Sequence, residues 1–303
     1  MYLEHFSIRE MPFAITPDTS FFYSYGSYQE ALNVVLLALR SGEGFIKISG
    51  EVGTGKTLLC RKLLNTLGEG FVTAYLPNPC LTPAGLRMAL ADELEVKCSQ
   101  NMGQQRILKL INDRLIELNA EGKQVVLLLD EAQALPDESM EALRLLTNFE
   151  TEKTKLLQVI LFGQPELDER LAENNLRQLR QRITFSYDLS AIDGSGIAGY
   201  LNHRLLVAGY NGRPLFSDES MKLLHKFSTG VPRIINVLAH KSLMVAYGQG
   251  LLVINAQHVR AAADDTDAVM NVSNIKTTTS FTRMSAAVLS VVGAAAAAMS
   301  FGG

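Results

Sequence analysis

Apolar residues fall into two textures along this chain. Nearly continuous apolar runs occur at 44–50 (GFIKISG), 71–76 (FVTAYL), 124–130 (QVVLLLD), 156–163 (LLQVILFG) and 183–189 (ITFSYDL). Runs of this length that close on glycine or on a turn read as strands buried in a parallel sheet. Between them, apolar residues at helical spacing predict helices over 27–42, 56–67, 82–95, 103–120, 137–149 and 165–180. Strand and helix alternate, so the expected fold is α/β, with a parallel five-stranded sheet covered by helices. After Leu189 the texture changes. Residues 193–209, 217–228, 231–248 and 255–264 all read as helices, with only LLVI (251–254) able to extend, which predicts a small all-α second domain. Residues 1–26 are aromatic and irregular, Pro12 and Pro17 excluding a long helix, and are expected to be an N-terminal linker. The expected organisation is therefore a linker (1–26), an α/β domain (27–190), a helical domain (191–264), a polar Thr-rich linker (265–283) and a C-terminal segment (284–303).

Composition narrows the function classes. With 47% apolar and 19% charged residues over 303 positions, the chain can bury a substantial core. A net charge of −3 argues against a protein that grips a nucleic-acid backbone, and no nucleic-acid partner is expected. The three cysteines, Cys60, Cys80 and Cys98, form no CxxC pair, which disfavours a zinc ribbon or a disulfide scaffold and places the body in a reducing compartment. The five histidines never fall three or four residues apart, so no helical metal pair exists. The last 20 residues, MSAAVLSVVGAAAAAMSFGG, carry no charge. That is the length of a membrane-spanning helix, although the alanine content leaves a docked or frayed tail as the other reading. Lys276 and Arg283 precede the segment with no acid between them, consistent with a C-terminal anchor on a cytoplasmic body.

The chemistry begins at 50–57. GEVGTGKT fits GxxxxGK[ST], follows a strand and opens a helix. Glycines allow backbone N–H groups to turn inward around phosphates, and the helix N-terminus adds its positive dipole end. Gly50, Glu51, Val52, Gly53, Thr54 and Gly55 would form the cradle, Lys56 would reach the outer phosphates, and the Thr57 hydroxyl would ligate Mg²⁺. This implies binding of a nucleoside triphosphate, ATP in the reading that follows. Asp130 ends the most apolar strand, where a buried carboxylate finds its natural partner in the same Mg²⁺ shell. Glu131, directly after it, is placed to orient or deprotonate an attacking water, which favours hydrolysis over phosphate transfer to a nucleotide. Gln164, just past the 156–163 strand, would reach the γ-phosphate or that water if its strand lies between the phosphate-loop strand and the Asp130 strand. Arg177, Arg180 and Arg182 precede the last strand and are candidates for an arginine supplied in trans. Arg233 sits in the first turn of a helix, against the dipole, and calls for a compensating anion such as ATP.

Taken in order, GEVGTGKT, LLLDEAQ, LFGQPEL, RQRI and GVPRIINVL resemble an AAA+ ATPase, and more closely the ExeA/GspA family linked to secretion and pilus assembly. The opening FSIREMPFAITPDTSFFYSYGSYQEAL is also similar to that family, so the resemblance runs over residues 1–262. It implies a P-loop AAA+ fold followed by an α-helical lid, with Gln164 as sensor 1, Arg233 as sensor 2 and Arg182 as the arginine finger. It also implies a homo-oligomer, and Phe13, Pro17 and Tyr23 lining an adenine pocket. The short C-terminal end is similar to members serving an MSHA-type pilus. Longer relatives continue into a peptidoglycan-binding domain, which this sequence lacks, so that binding is not carried over. The implied role is an ATP hydrolase supporting assembly of a type IV-like pilus or secretion apparatus at the inner membrane. Two other classes share the motifs: a DNA-handling AAA+ protein of the transposition-helper or initiator type, and a nucleotide-gated scaffold with negligible turnover. The acidic net charge argues against the first, and intact Glu131 and Gln164 against the second.

Overall fold

The computed structural model describes residues 2–99, 102–151 and 154–266. Its elements, in chain order, are α1 (Tyr2–His5), α2 (Ser27–Arg40), β1 (Phe45–Ser49), α3 (Lys56–Thr66), β2 (Phe71–Leu76), α4 (Pro83–Glu93), α5 (Gln104–Ala120), β3 (Gln124–Leu129), α6 (Asp137–Leu146), β4 (Leu157–Gly163), α7 (Pro165–Leu171), α8 (Arg177–Arg182), β5 (Ile183–Asp188), α9 (Gly196–Val207), α10 (Asp218–Ser228), α11 (Pro232–Gly248) and α12 (Ala256–Asp264). Among the described residues they form two compact units: residues 16–191, and residues 2–15 together with 192–266.

In the larger unit all five strands run parallel in the order β2-β3-β4-β1-β5. Burial follows position in the sheet. β1 and β4 are buried at every residue, and β3 at every residue after Gln124, because helices cover both faces of the central strands. β5 alternates half-buried with exposed residues, as an edge strand covered on one face should. The core beside β3 and β4 is filled by Leu86, Leu90, Ile107, Ile111, Leu115, Met140 and Leu143 from α4, α5 and α6. The order puts β4 between β1 and β3, so the loops after these three strands converge at one end of the sheet, where open α/β folds place ligands.

One expected helix is broken. The sequence predicts a continuous helix over 165–180, but α7 ends at Leu171, a 3₁₀ turn covers Asn174–Leu176, and α8 begins at Arg177. The buried residues are Leu167, Leu171, Leu176 and Leu179. The five-residue step from Leu171 to Leu176 leaves the stripe of a 3.6-residue period, and Asn174–Asn175 falls at the step, where asparagine favours a turn.

The smaller unit is helical. Tyr2, Phe6, Ile8 and Phe13 are buried here, α1 packs against α11, and Phe13 meets Phe216 edge to face at 6.0 Å. The Tyr2 hydroxyl pairs with His240 Nδ1 at 2.9 Å. Arg204, only 5% exposed, donates through Nε to the Pro12 carbonyl at 2.5 Å. LLVI contributes a single bridge, Ile254 to Phe216, rather than a strand. No helix among the described residues is long and apolar enough to cross a membrane. The segment 284–303, read above as an anchor, lies outside the described residues, as do 267–283.

Candidate functional site

The phosphate-loop geometry follows from its residues. β1 ends at Ser49, the chain winds through residues 50–55, and α3 starts at Lys56. Gly55 caps α3 at φ +95°, a left-handed conformation in which a side chain would be strained. The loop is tied internally by Thr54 Oγ1 donating to the Glu51 carbonyl at 2.8 Å. It is tied from below by the Tyr28 hydroxyl of α2, which donates to the Thr54 carbonyl at 2.7 Å. Lys56 Nζ lies under the loop, donating to the carbonyls of Gly50 (2.7 Å) and Glu51 (3.0 Å). Burial lowers the Lys56 pKa, opposed by the Glu131 and Asp130 carboxylates, so this cation stands in a desolvated, acid-lined position.

Asp130 follows β3 and is 2% exposed. Desolvation raises its pKa, against hydrogen bonds from the Thr57 side chain and the Glu131 N–H, the latter at 3.0 Å. Half-buried Thr57 is therefore hydrogen-bonded to the buried Asp130, close to Lys56. Glu131 turns the chain at φ +53°, a strained conformation for a non-glycine residue, of the kind that clusters at functional sites. Its carboxylate meets Gln164, whose Nε2 donates to Glu131 Oε2 at 2.8 Å. Gln164 reaches it because Gly163, the last residue of β4, lets α7 start close by: a Cβ at Gly163 would stand 2.4 Å from Leu167. Lys56, Thr57, Asp130, Glu131 and Gln164, chosen from three separate motifs, thus come together at the ends of β1, β3 and β4.

The arginines divide. Arg182 is half-buried at the end of α8, and its Nη1 donates to the Arg144 carbonyl and to Thr147 Oγ1, both at 3.0 Å, so it holds the end of α6 in its own chain. Arg177 and Arg180 are exposed. Arg233 belongs to the smaller unit, exposed in the first turn of α11 after Pro232. Of the aromatic candidates, Phe13 is buried in the smaller unit against Phe216, and Tyr23 stacks on Tyr25 in the larger one.

Four participants were not among the candidate residues, although Gln133 closes the LLLDEAQ motif. Tyr28 is one. Gln133 is another: its Nε2 donates to Glu131 Oε2 at 2.5 Å, and its Oε1 accepts from the Gln164 N–H at 3.1 Å. Arg170 of α7 donates to the Gln133 carbonyl at 2.6 Å and pairs with Asp137. Lys47, 8% exposed in β1, pairs with Asp168 of α7. A lone lysine inside the apolar run GFIKISG is the only one of these signals readable in advance, since a buried charge requires a partner.

The comparisons agree with this geometry. The AAA domain family matches residues 39–171, which span the phosphate loop, Asp130, Glu131 and Gln164. General secretion pathway protein A of Aeromonas hydrophila is 41% identical over 250 residues, covering 82% of this chain and 46% of the relative. The chain thus spans about half the length of that relative. Among solved structures, Cdc6p of Pyrobaculum aerophilum is similar with a TM-score of 0.63 at 17% identity, over 82% of this chain and 70% of that one. The ORC2 protein of Aeropyrum pernix, solved as ADPNP–ADP complexes, gives 0.60 at 17% identity, over 82% and 72%. The RuvB branch migration motor of Thermotoga maritima gives 0.53 at 16% identity, over 78% and 67%. The phosphate-loop residues and the Asp130 and Glu131 carboxylates thus come together on a sheet that matches the AAA domain family over residues 39–171, in a chain similar over most of its length to general secretion pathway protein A.

Proposed function

We propose that the chain couples ATP binding and hydrolysis to assembly of a secretion apparatus or type IV-like pilus of the MSHA type at the bacterial inner membrane. The observation that carries this reading is the 41% identity to general secretion pathway protein A, extending through 250 residues rather than through the ATPase motifs alone. In this reading residues 27–190 are the nucleotide-binding domain, 191–264 the lid, and the cytoplasmic body is attached to the membrane by 284–303.

Residues 50–57 hold the triphosphate, their N–H groups and the α3 dipole facing the phosphates and Lys56 turning outward from the loop carbonyls to the β- and γ-phosphates. Mg²⁺ fits the pocket of Thr57 and Asp130, because Asp130 is a buried carboxyl whose charge a divalent cation would satisfy. When bound, Mg²⁺ neutralises charge developing on the phosphate oxygens. Glu131 takes a proton from the attacking water, and Gln164, bound to the same carboxylate, aligns that water with the γ-phosphate. An arginine of α8 from a neighbouring subunit completes the site, and Arg233 is the sensor 2 candidate.

Nucleotide titration and steady-state turnover test the site. Lys56→Ala should lose tight ATP binding, and Glu131→Gln should keep it while turning over about 10²–10⁴-fold more slowly, the usual contribution of a positioned base. Wild-type affinity in the first, or turnover within about threefold of wild type in the second, would remove that residue's role. Washing native membranes with salt and then carbonate tests the placement: the protein should stay with the pellet, and complete release by salt would sink the anchor. A DNA-binding titration should show no shift. Tight, steeply salt-dependent binding would instead favour the DNA-handling class.

A further inference from the structure

We propose that Gln133 is a positioning residue for hydrolysis: its side-chain amide bridges Glu131 and Gln164 and fixes which oxygen of Glu131 faces the water. The proposal deepens the reading of Glu131 as the general base and rests on it.

Three hydrogen bonds close a ring. Gln133 Nε2 donates to Glu131 Oε2 at 2.5 Å, Gln164 Nε2 donates to the same oxygen at 2.8 Å, and the Gln164 backbone N–H donates to Gln133 Oε1 at 3.1 Å. The ring permits one orientation of the Gln133 amide. Flipping it would turn its carbonyl oxygen toward a carboxylate oxygen and its NH₂ toward an N–H, replacing two attractions by two repulsions. Both donors converge on Oε2, and no described residue donates to Oε1. Oε1 is therefore the oxygen left to accept a proton, and the carboxylate cannot rotate without breaking both hydrogen bonds donated by the amides.

The ring is itself braced. Glu131 starts from a left-handed backbone at φ +53°, and the Ala134 N–H returns to its carbonyl at 2.8 Å, closing the short turn that carries Gln133. Arg170 donates to the Gln133 carbonyl at 2.6 Å and pairs with Asp137 at the start of α6. On the other side of α7, Asp168 pairs with Lys47 of β1. α7, whose N-cap is Gln164, is thus fixed both to β1 and to the turn bearing Gln133. A fixed second layer of this kind is what holds a reacting group within a fraction of an ångström of its working position. A glutamine two residues after the catalytic carboxylate also suits the distance: shorter Asn would not span both partners, and Glu would place a second carboxylate against the first.

The test uses the full-length protein with Gln133→Met, which keeps length and removes both hydrogen bonds, and Gln133→Glu as a second variant should Met disturb folding. Both should lower kcat about tenfold or more, the scale of losing a charge-assisted hydrogen bond, with ATP affinity within about twofold of wild type and an unchanged thermal midpoint. Each is then combined with Glu131→Gln and followed by single-turnover cleavage of labelled ATP. With the base already removed, Gln133→Met should change the residual rate by less than about twofold, a non-additivity expected only of residues acting as a unit. An equal loss in both backgrounds would assign Gln133 a merely structural role and overturn the proposal. So would wild-type kcat in Gln133→Met while Glu131→Gln is inactive. Should Glu131→Gln itself turn over like wild type, the reading of the base fails first and the proposal falls with it.

Discussion

At the scale of single residues, the site divides into groups whose type is dictated by chemistry and groups whose importance comes from where the fold puts them. Lys56, Thr57, Asp130 and Glu131 belong to the first kind. In the proposed reading phosphates need a cation and inward N–H groups, a metal needs an acid and a hydroxyl, and water needs a base, so residues of these types stand out at fixed spacing. Tyr28 and Gln133 belong to the second. Nothing in SYQEAL marks Tyr28, yet its hydroxyl is the group that holds the Thr54 carbonyl from beneath the phosphate loop. The test is Tyr28→Phe, which keeps the ring and removes one buried hydrogen bond worth about 0.5–1.5 kcal/mol. The loop should sample more positions, so the ATP dissociation constant should rise about two- to tenfold with kcat little changed. An unchanged affinity, measured by nucleotide titration, would show that α3 and the loop glycines set the loop geometry without Tyr28.

At the scale of elements, what could be read depended on whether the deciding contacts were local. All five strands lie within their apolar runs, and β1, β3 and β4, buried on both faces, announce themselves by continuous hydrophobicity. The break between α7 and α8 was written in the five-residue step from Leu171 to Leu176, but a helix of 16 residues was the simpler reading of the pattern. α12 shows a local device with a pH consequence. It opens with a capping box: the Asn255 side chain accepts from the Gln257 N–H at 3.1 Å, and His258 Nδ1 accepts from the Asn255 N–H at 3.1 Å. His258 Nε2 faces Gln249 Oε1 at 3.1 Å, so the ring serves as acceptor on one side and donor on the other, which only the neutral ring can do. Burial lowers its pKa below 6.5, and the same holds for His240. A base with a depressed folded pKa binds fewer protons folded than unfolded, so stability rises with pH across that window. It is fully present above about pH 6.5 and is lost as pH falls toward the folded value. Thermal midpoints recorded from about pH 8 down to about pH 5 should therefore fall below pH 6.5, and His258→Gln, an acceptor that does not titrate, should flatten part of that decline. His240 supplies what remains. An identical slope in the variant would show that the cap does not contribute.

At the scale of the whole molecule, the sequence shows strands ceasing after Leu189, but the partner of residues 2–15 could not be read from it. Their anchor is Arg204, about 190 positions away in sequence, and no local pattern encodes a contact to the Pro12 carbonyl. Assembly poses a similar question, since a trans-acting arginine is recognised only by what it is not already doing. Arg182, the arginine the family resemblance singles out, already donates through Nη1 to the Arg144 carbonyl and Thr147 Oγ1. Arg180 is exposed two residues earlier, with no side-chain partner among the described residues. Arg182→Ala should thus loosen the α6–α8 contact, costing about 1–3 kcal/mol in an unfolding titration as buried acceptors lose their donor. Arg180→Ala should leave stability unchanged and lower turnover, by up to about 10³–10⁵-fold if it is the full finger. The two defects differ further in mixtures. A subunit lacking the finger still offers a working pocket, and a Lys56→Ala subunit still offers a finger. Mixing Arg180→Ala with Lys56→Ala should therefore restore part of the activity that neither has alone, whereas Arg182→Ala mixed with Lys56→Ala should gain nothing beyond its own residual rate. The reverse pattern would return the finger to Arg182 and require its guanidinium to leave α6 on assembly. Failure of both mixtures, with oligomers formed normally, would mean that no arginine of α8 acts across a subunit boundary in this protein.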